Sequence, residues 1–259
     1  MAITSVDQWV AASKQRLPFN FASIGTVVAG NTVSLWRAGS IPAQQAIPST
    51  PAVPTGSTMG LGFVDPTGGA KNYLGYYAAS SSTTVLLTLW DRLSHMGGLS
   101  GTVTTAQTVN TAAITRGDTT GADVEGFLEW YTATGATGVT ATVAWTDNTS
   151  TGRSSAITLA ATRPAGFMAP IPLAVGARGV QSVQTVTLSA TTATAGNFGV
   201  TLARRVASIA VPAANVAVSI DPFTLGLPEI PTGASLFFTA VISATGTPTA
   251  AGEILIGQG

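Results

Sequence analysis

The sequence predicts a mainly β protein, with an antiparallel β-sandwich or jelly-roll-like body preceded by a short N-terminal helix and a Pro/Gly-rich extended arm. Three observations carry that expectation. Thr and Val recur throughout, and β-branched side chains pack well on a pleated sheet. Lys and Glu are scarce, which argues against long solvated helices. Beyond Gly101, short apolar runs are separated by Gly, Asn, Asp and Pro at spacings typical of a sandwich or barrel. No fixed period suggests a solenoid or a propeller.

Ser5 followed by Gln8 spells a capping box, and Val6, Trp9, Val10 and Leu17 continue one helical face, so the spacing predicts a helix over Ser5 to Arg16 stopped by Pro18. From Gly39 to Gly69 the text carries Pro42, Pro48, Pro51, Pro54 and Pro66 among small residues, which reads as an extended arm lying across another surface or left mobile. Tyr73 to Tyr77 and Thr83 to Leu89 read as buried strands. Leu86, Leu89, Trp90 and Leu93 fit a helical stripe, so a short helix closed by Gly97-Gly98 is expected there. Phe127 to Thr132, Val139 to Thr146 and Ser155 to Ala161 read as one meander. Within it Val139, Ala141, Val143 and Trp145 share a face, and residues 147–152 form a turn. A second meander is expected from Gln181 to Ala190, Asn197 to Ile209, Asn215 to Ile220 and Leu236 to Thr245, the last apolar on both faces. These readings divide the chain into a helical arm (1–20), an extended arm with a first β region (21–110) and an antiparallel β-sandwich region (111–259).

Composition narrows the function classes. Of 259 residues, 45% are hydrophobic and 8% charged, against about 25% charged in an ordinary soluble domain. Basic and acidic residues balance at 11 each, so no positive excess exists to collect phosphates or anionic lipid, and nucleic acid and membrane surfaces are not expected partners. The apolar residues are interrupted by Thr, Ser or Gly before any window reaches the roughly 20 needed to span a bilayer. Cysteine is absent, which excludes disulfides and thiolate chemistry. The start lacks a secretory pattern, and the expectation is assembly in a cytoplasm.

Candidate chemistry is sparse. His95, the only histidine, follows Asp91 by four residues, so on a helix the carboxylate could orient the imidazole. No G-x-S-x-G elbow supplies a nucleophile, and a histidine at a helix C-terminus accounts for the pattern equally. Asp123, Glu125 and Glu129 would share one strand face, as a cation site, an acid/base pair or a charged edge that discourages pairing. Arg116-Gly117-Asp118 spells an integrin tripeptide and also reads as a turn; Asn148-Thr149-Ser150 matches a glycosylation acceptor and also reads as a turn. One of Arg204 and Arg205 must point inward or into an interface, where a bidentate carboxylate partner is expected. The five tryptophans read as core anchors. No catalytic residue, cofactor or metal site is assigned.

The block from Leu87 to Gly101, Leu-Thr-Leu-Trp-Asp-Arg-Leu-Ser-His-Met-Gly-Gly-Leu-Ser-Gly, continuing to Thr108, resembles a segment of tailed-bacteriophage virion structural proteins. Similar too are Leu128-Glu129-Trp130-Tyr131-Thr132, and Gly176 to Val183 leading to Gly196-Asn197-Phe198-Gly199-Val200-Thr201-Leu202. The resemblance implies a head-associated protein, nearest to a capsid decoration or cement protein. It also implies a β-sandwich body, often trimeric, with arms crossing capsomer joints. The implied partners are the major capsid protein and copies of the chain itself, on the virion exterior after assembly in the host bacterial cytoplasm. The expected interface is then the helix positions Val6, Trp9, Val10 and Leu17 and the arm positions Pro42, Pro48, Pro51 and Pro54. The alternative is a receptor-binding or carbohydrate-binding adhesin module that uses the Arg116 turn and exposed aromatics.

Overall fold

A computed structural model describes residues 3–22, 25–193 and 196–259. Its first elements are α1 (Val6–Ala11), β1 (Ser13–Phe21), β2 (Thr32–Ser34), α2 (Gly56–Met59), β3 (Asn72–Ser81), β4 (Val85–Leu99) and β5 (Gln107–Thr108). There follow β6 (Val124–Trp130), β7 (Val139–Asp147), β8 (Gly152–Leu159), β9 (Phe167–Pro170), β10 (Val180–Leu188) and β11 (Phe198–Val211). The last are β12 (Val218–Ile220), α3 (Pro222–Leu225), β13 (Glu229–Ile230), β14 (Leu236–Ile242) and β15 (Ala250–Gln258).

The expected mainly β, antiparallel character is present, but the body is built around a closed barrel of order β11-β4-β14-β2-β9-β6. A five-stranded sheet, β1-β15-β3-β12 with β13 also on β3, joins the two ends of the chain. A four-stranded sheet has the order β5-β10-β7-β8. Each packs on the barrel's outer wall. Leu87, Leu89, Phe238 and Ile242 of the barrel share a core with Phe19, Tyr77 and Ile254. Leu128, Phe198 and Val200 share another with Val143, Trp145 and Val183. Strands β2 and β4 enter the barrel from before residue 110 and β6, β9, β11 and β14 from after it, so the expected division at 110 cuts through the barrel.

The capping box forms as read: Ser5 accepts from the Gln8 amide, and the Gln8 side chain returns to Ser5. The helix is shorter than expected. It ends at Ala11, and Leu17 and Pro18 lie in β1. An edge strand tolerates proline where its missing N–H points outward. Asn20, two residues on and of the same parity, exchanges backbone hydrogen bonds with Ile41 on that outer side. The helix expected at 86–96 is strand throughout. The strand is apolar on both faces, with Leu87 and Leu89 packed outside the barrel and Trp90 inside, so apolar residues at 86, 89, 90 and 93 match a helical spacing without a helix; a bulge at Leu93, between the Leu202–Ser94 and Ala203–Arg92 pairs, then shifts the alternation. Neither expected meander forms. β7 and β8 pair as a hairpin, but β6 belongs to the barrel, and the second set is dealt among all three sheets.

The Pro-rich arm is ordered on its own chain. Ile41 bridges β1, the Pro48 carbonyl accepts from the Gly97 amide, Ala52 and His95 exchange backbone bonds, and Leu61 bonds Leu236. Val6 is half-buried, while Trp9 covers Gly75 and Gly257 of the five-stranded sheet, where any Cβ would overlap the indole. Replacing Gly75 with valine is expected to push Trp9 off the sheet, red-shift tryptophan emission and cost about 1–3 kcal/mol in chemical unfolding; an unchanged spectrum and midpoint would contradict this packing.

Candidate functional site

The barrel interior combines an apolar cluster, Trp90, Phe127, Met168, Ala203 and Phe237, with buried charge. Because the Leu93 bulge shifts the phase of β4, Arg92 and His95 both sit opposite interior residues of β11, Ala203 and Thr201. The Arg92 guanidinium is fully buried between Trp36 (4.4 Å) and Phe237 (4.1 Å), and its Nη2 lies 3.4 Å from Glu129 Oε2. Glu129 is held by a directional chain of hydrogen bonds. Thr201 Oγ1 donates to Glu129 Oε2 (2.7 Å), so it accepts from His95 Nδ1–H (2.9 Å); His95 Nε2 is then the acceptor for the Tyr131 hydroxyl (3.2 Å). Nearby, Arg37 donates to the Trp130 carbonyl (2.9 Å).

The electrostatics fix the protonation states. Burial, seconded by Arg92, depresses His95 to about 3, so the imidazole is neutral. Burial alone would raise Glu129, but Arg92, His95, Arg37 and the Thr201 hydroxyl together bring it down to about 2, and it stays ionised. A neutral His95 cannot contribute its charge near neutral pH, so the arginines and the hydroxyl account for the ionised state there. Burial lowers Arg37 and raises the Tyr131 hydroxyl well above its usual range.

A second hub lies on the outer face of β4. Asp91 accepts two bonds from Arg116 (Nε 3.1 Å, Nη2 2.9 Å) and one from the Ser235 amide (2.9 Å). Arg116 also donates to the carbonyls of Pro54 and Arg92, tying the arm to the barrel. The arginine of the integrin-like tripeptide is therefore locked inside, and Asp118 caps its own turn through Thr120. His95 and Asp91, expected to share a helix face, face opposite sides of β4. Asp123 pairs with Arg204 and Glu125 with Arg205, while Glu129 is separated from both in the interior. Arg204 is the more buried of its pair and also donates to the carbonyls of Arg116 and Asp118. All five tryptophans are buried. The 147–152 turn closes on Asp147, which accepts from the Thr149 and Thr151 amides, while Asn148 accepts from the Arg178 amide.

Most of the expected interface is already in use. Trp9, Leu17, Pro42 and Pro54 are buried within the chain, and Pro48 and Pro51 are half-buried; Val10, at 68% exposure, remains free. The residues that sequence reasoning missed are Arg92, Thr201 and Tyr131. Their signal is a charge set inside runs apolar on both faces, as in Trp90-Asp91-Arg92-Leu93 and Leu128-Glu129-Trp130.

Several hollows mark the surface, two of them near the elements described above. A cleft of about 360 Å³ lies among Asp118, Asp123, Arg204, Arg205 and Glu229. An apolar groove of about 440 Å³ lies over Leu86, Ala210 and Val241. No protein-family model matches the sequence, and no curated protein does. Among solved structures, the infectious bursal disease virus VP2 subviral particle is 11% identical, with 95% of this chain and 80% of that one covered at a TM-score of 0.21. The Gx strain of the same virus gives 12% identity, coverages of 95% and 79%, and a TM-score of 0.17. TM-scores of this size carry no inference about fold or role.

Two outcomes follow from the buried cluster. Arg92→Ala leaves Glu129 ionised and unpaired, with an expected cost of about 3–5 kcal/mol in denaturant unfolding, whereas Arg92→Met with Glu129→Leu costs less than the sum of the single changes. Equal additivity would place the two side chains out of contact. The second concerns pH: His95 takes up a proton near 6.5 when unfolded but only near 3 when folded, and Glu129 likewise binds its proton more weakly when folded. Stability is therefore full above about pH 6.5 and falls as pH drops toward 3, and His95→Gln removes the upper part of that slope; a flat stability profile between pH 6.5 and 4 would contradict it.

Proposed function

We propose that this chain is a non-enzymatic structural subunit of a tailed-phage virion, binding the capsid exterior as a decoration or cement protein. Its partners on this reading are the major capsid protein and copies of itself, as a trimer assembled in the host bacterial cytoplasm. The observation that carries the proposal is where the charge goes. Ten of the 11 side-chain carboxylates form ion pairs or accept hydrogen bonds within the chain. Asp91, Asp123, Glu125, Glu129, Asp147, Glu229 and Glu253 are in ion pairs. Asp65 accepts from the Gly233 amide, Asp118 and Asp221 cap turns, and Asp7 lies in the first turn of α1.

What faces outward is sparse in charge, and much of that charge is paired, as in Arg16–Glu253, Lys71–Glu229 and Arg205–Glu125. The exterior includes isolated apolar side chains, among them Val10 on α1, Phe223 on the adjoining α3 (76% exposed) and the fully exposed Val175. Such a surface suits binding by contact area, with little ion desolvation and with affinity multiplied when an oligomer engages several lattice sites. The resemblance of the Leu87–Gly101, Leu128–Thr132 and Gly176–Leu202 segments to phage virion proteins points the same way. The buried His95 offers no solvent-facing base, and the Arg116 turn offers an adhesin no free arginine.

The test is to mix the purified protein with undecorated heads of its phage and image the product. Regular lattice decoration is expected, with affinity changing less than about tenfold between 50 and 500 mM salt, and weakened by Val10→Asp with Phe223→Asp. Failure to bind any head assembly, or glycan binding in its place, would overturn the proposal. Deleting residues 1–69 is unsuitable as a probe, because it removes β1 and the barrel strand β2.

A further inference from the structure

The sheet edges of this chain are treated unequally. The five-stranded sheet ends at β12, three residues long, and at β1, whose outer side carries Pro18 and is bridged by the arm at Ile41. The four-stranded sheet ends at β5, two residues long, and at β8, which runs for eight residues, pairs only with β7 and contains no proline, bulge or lysine. Among the described residues β8 is the one long unguarded edge, the kind of backbone that recruits another strand.

The ladder fixes which groups β8 offers. The Thr140 carbonyl accepts from the Ser189 amide on the β10 side of β7, and the Asp147 amide bonds Thr151 on the β8 side. Even-numbered residues of β7 therefore point toward β10 and odd-numbered ones toward β8. Through the pairs Val143–Ser155 and Ala141–Ile157, the odd residues of β8 are turned toward β7. Ser154, Ala156 and Thr158 are thus left with N–H and C=O directed outward, and all three side chains are exposed.

We propose that β8 pairs antiparallel with β8 of a second copy about a two-fold axis at Ala156, joining two four-stranded sheets into one of eight. The edge is self-complementary in that register. Ala156 meets Ala156, and Ser154 meets Thr158 twice, so every outward-pointing residue finds another and hydroxyls oppose hydroxyls. No like charges meet, because Arg153, the only charged residue of β8, is outside the paired triplet and is held by Asp147 (2.8 Å). The contact is independent of the proposed virion role.

The chain lacks cysteine, so single cysteines report the pairing cleanly. Under mild oxidation of the full-length protein, Ala156→Cys is expected to form a disulfide-linked species of twice the 26.0 kDa chain mass. Ser154→Cys should cross-link with Thr158→Cys when the two are mixed, and at least tenfold more slowly with itself. Ala156→Pro removes an N–H that β7 does not use, and it should weaken self-association at least tenfold by sedimentation; Thr158→Lys, which leaves the backbone intact, should weaken it as well. A wild-type chain that stays monomeric at high concentration, or an Ala156→Cys chain that does not cross-link, would overturn the proposal, as would Ser154→Cys cross-linking with itself as fast as Ala156→Cys.

Discussion

The architecture depends on an ion pair placed where ion pairs are costly. Arg92 and Glu129 are both fully buried in the barrel, and taking such charges out of water costs several kcal/mol each unless their neighbours compensate. Compensation is partial: among the described residues the Arg92 guanidinium nitrogens and Glu129 Oε1 make no hydrogen bonds, and the pair relies on charge and ring contacts. Trp36 and Phe237 present ring faces to the guanidinium, and Thr201 donates to the carboxylate. His95 and Tyr131 extend that bond into a chain with one direction. The residues belong to β4, β6, β11 and β14 and to the segments just after β2 and β6, so these contacts assemble only when the barrel closes.

Closure of the barrel in turn organises its surroundings. Its outer wall is apolar on two sides, and each side needs a sheet to cover it. Arg116 carries the effect to the arm: one side chain joins Asp91, the Pro54 carbonyl and the backbone of β4, fixing a segment that has almost no regular structure of its own. The proline-rich text that resembles an arm reaching for a neighbour is here a strap around its own barrel.

Much of this was legible in the sequence and some of it was not. The β class, the capping box at Ser5, the alternation from Val139 to Trp145 and the 147–152 turn follow from local chemistry, and local chemistry decides them. The extent of α1 and the identity of β4 do not, because long-range pairing overrides local pattern. Pro18 is tolerated on an edge that the distant Ile41 bridges at Asn20, and a strand apolar on both faces, with Leu89 outside the barrel and Trp90 inside, imitates a helical stripe. The strand partners of β6, β11 and β14 depend on barrel closure, which strand spacing cannot encode. The buried charge left a faint trace, since Asp91, Arg92 and Glu129 interrupt apolar runs. The segments Leu87–Gly101, Leu128–Thr132 and Gly196–Leu202 lie in and around β4, the end of β6 and the start of β11, the strands that supply Arg92, His95, Glu129 and Thr201.

Low overall charge therefore has a structural meaning: the chain commits most of its few charges to ion pairs, caps and turns, some buried and some at the surface, and leaves an exterior sparse in charge. The most direct measurement is the ionisation of Glu129 by carbon NMR of protein labelled at its four glutamates. One carboxylate resonance, absent from the Glu129→Gln spectrum, should keep its ionised shift from neutral pH through the range near 4.5 where an ordinary glutamate titrates. A Glu129 resonance that titrates at pH 4.5 or above would contradict the account, because a neutral carboxyl there would leave Arg92 without a counter-ion.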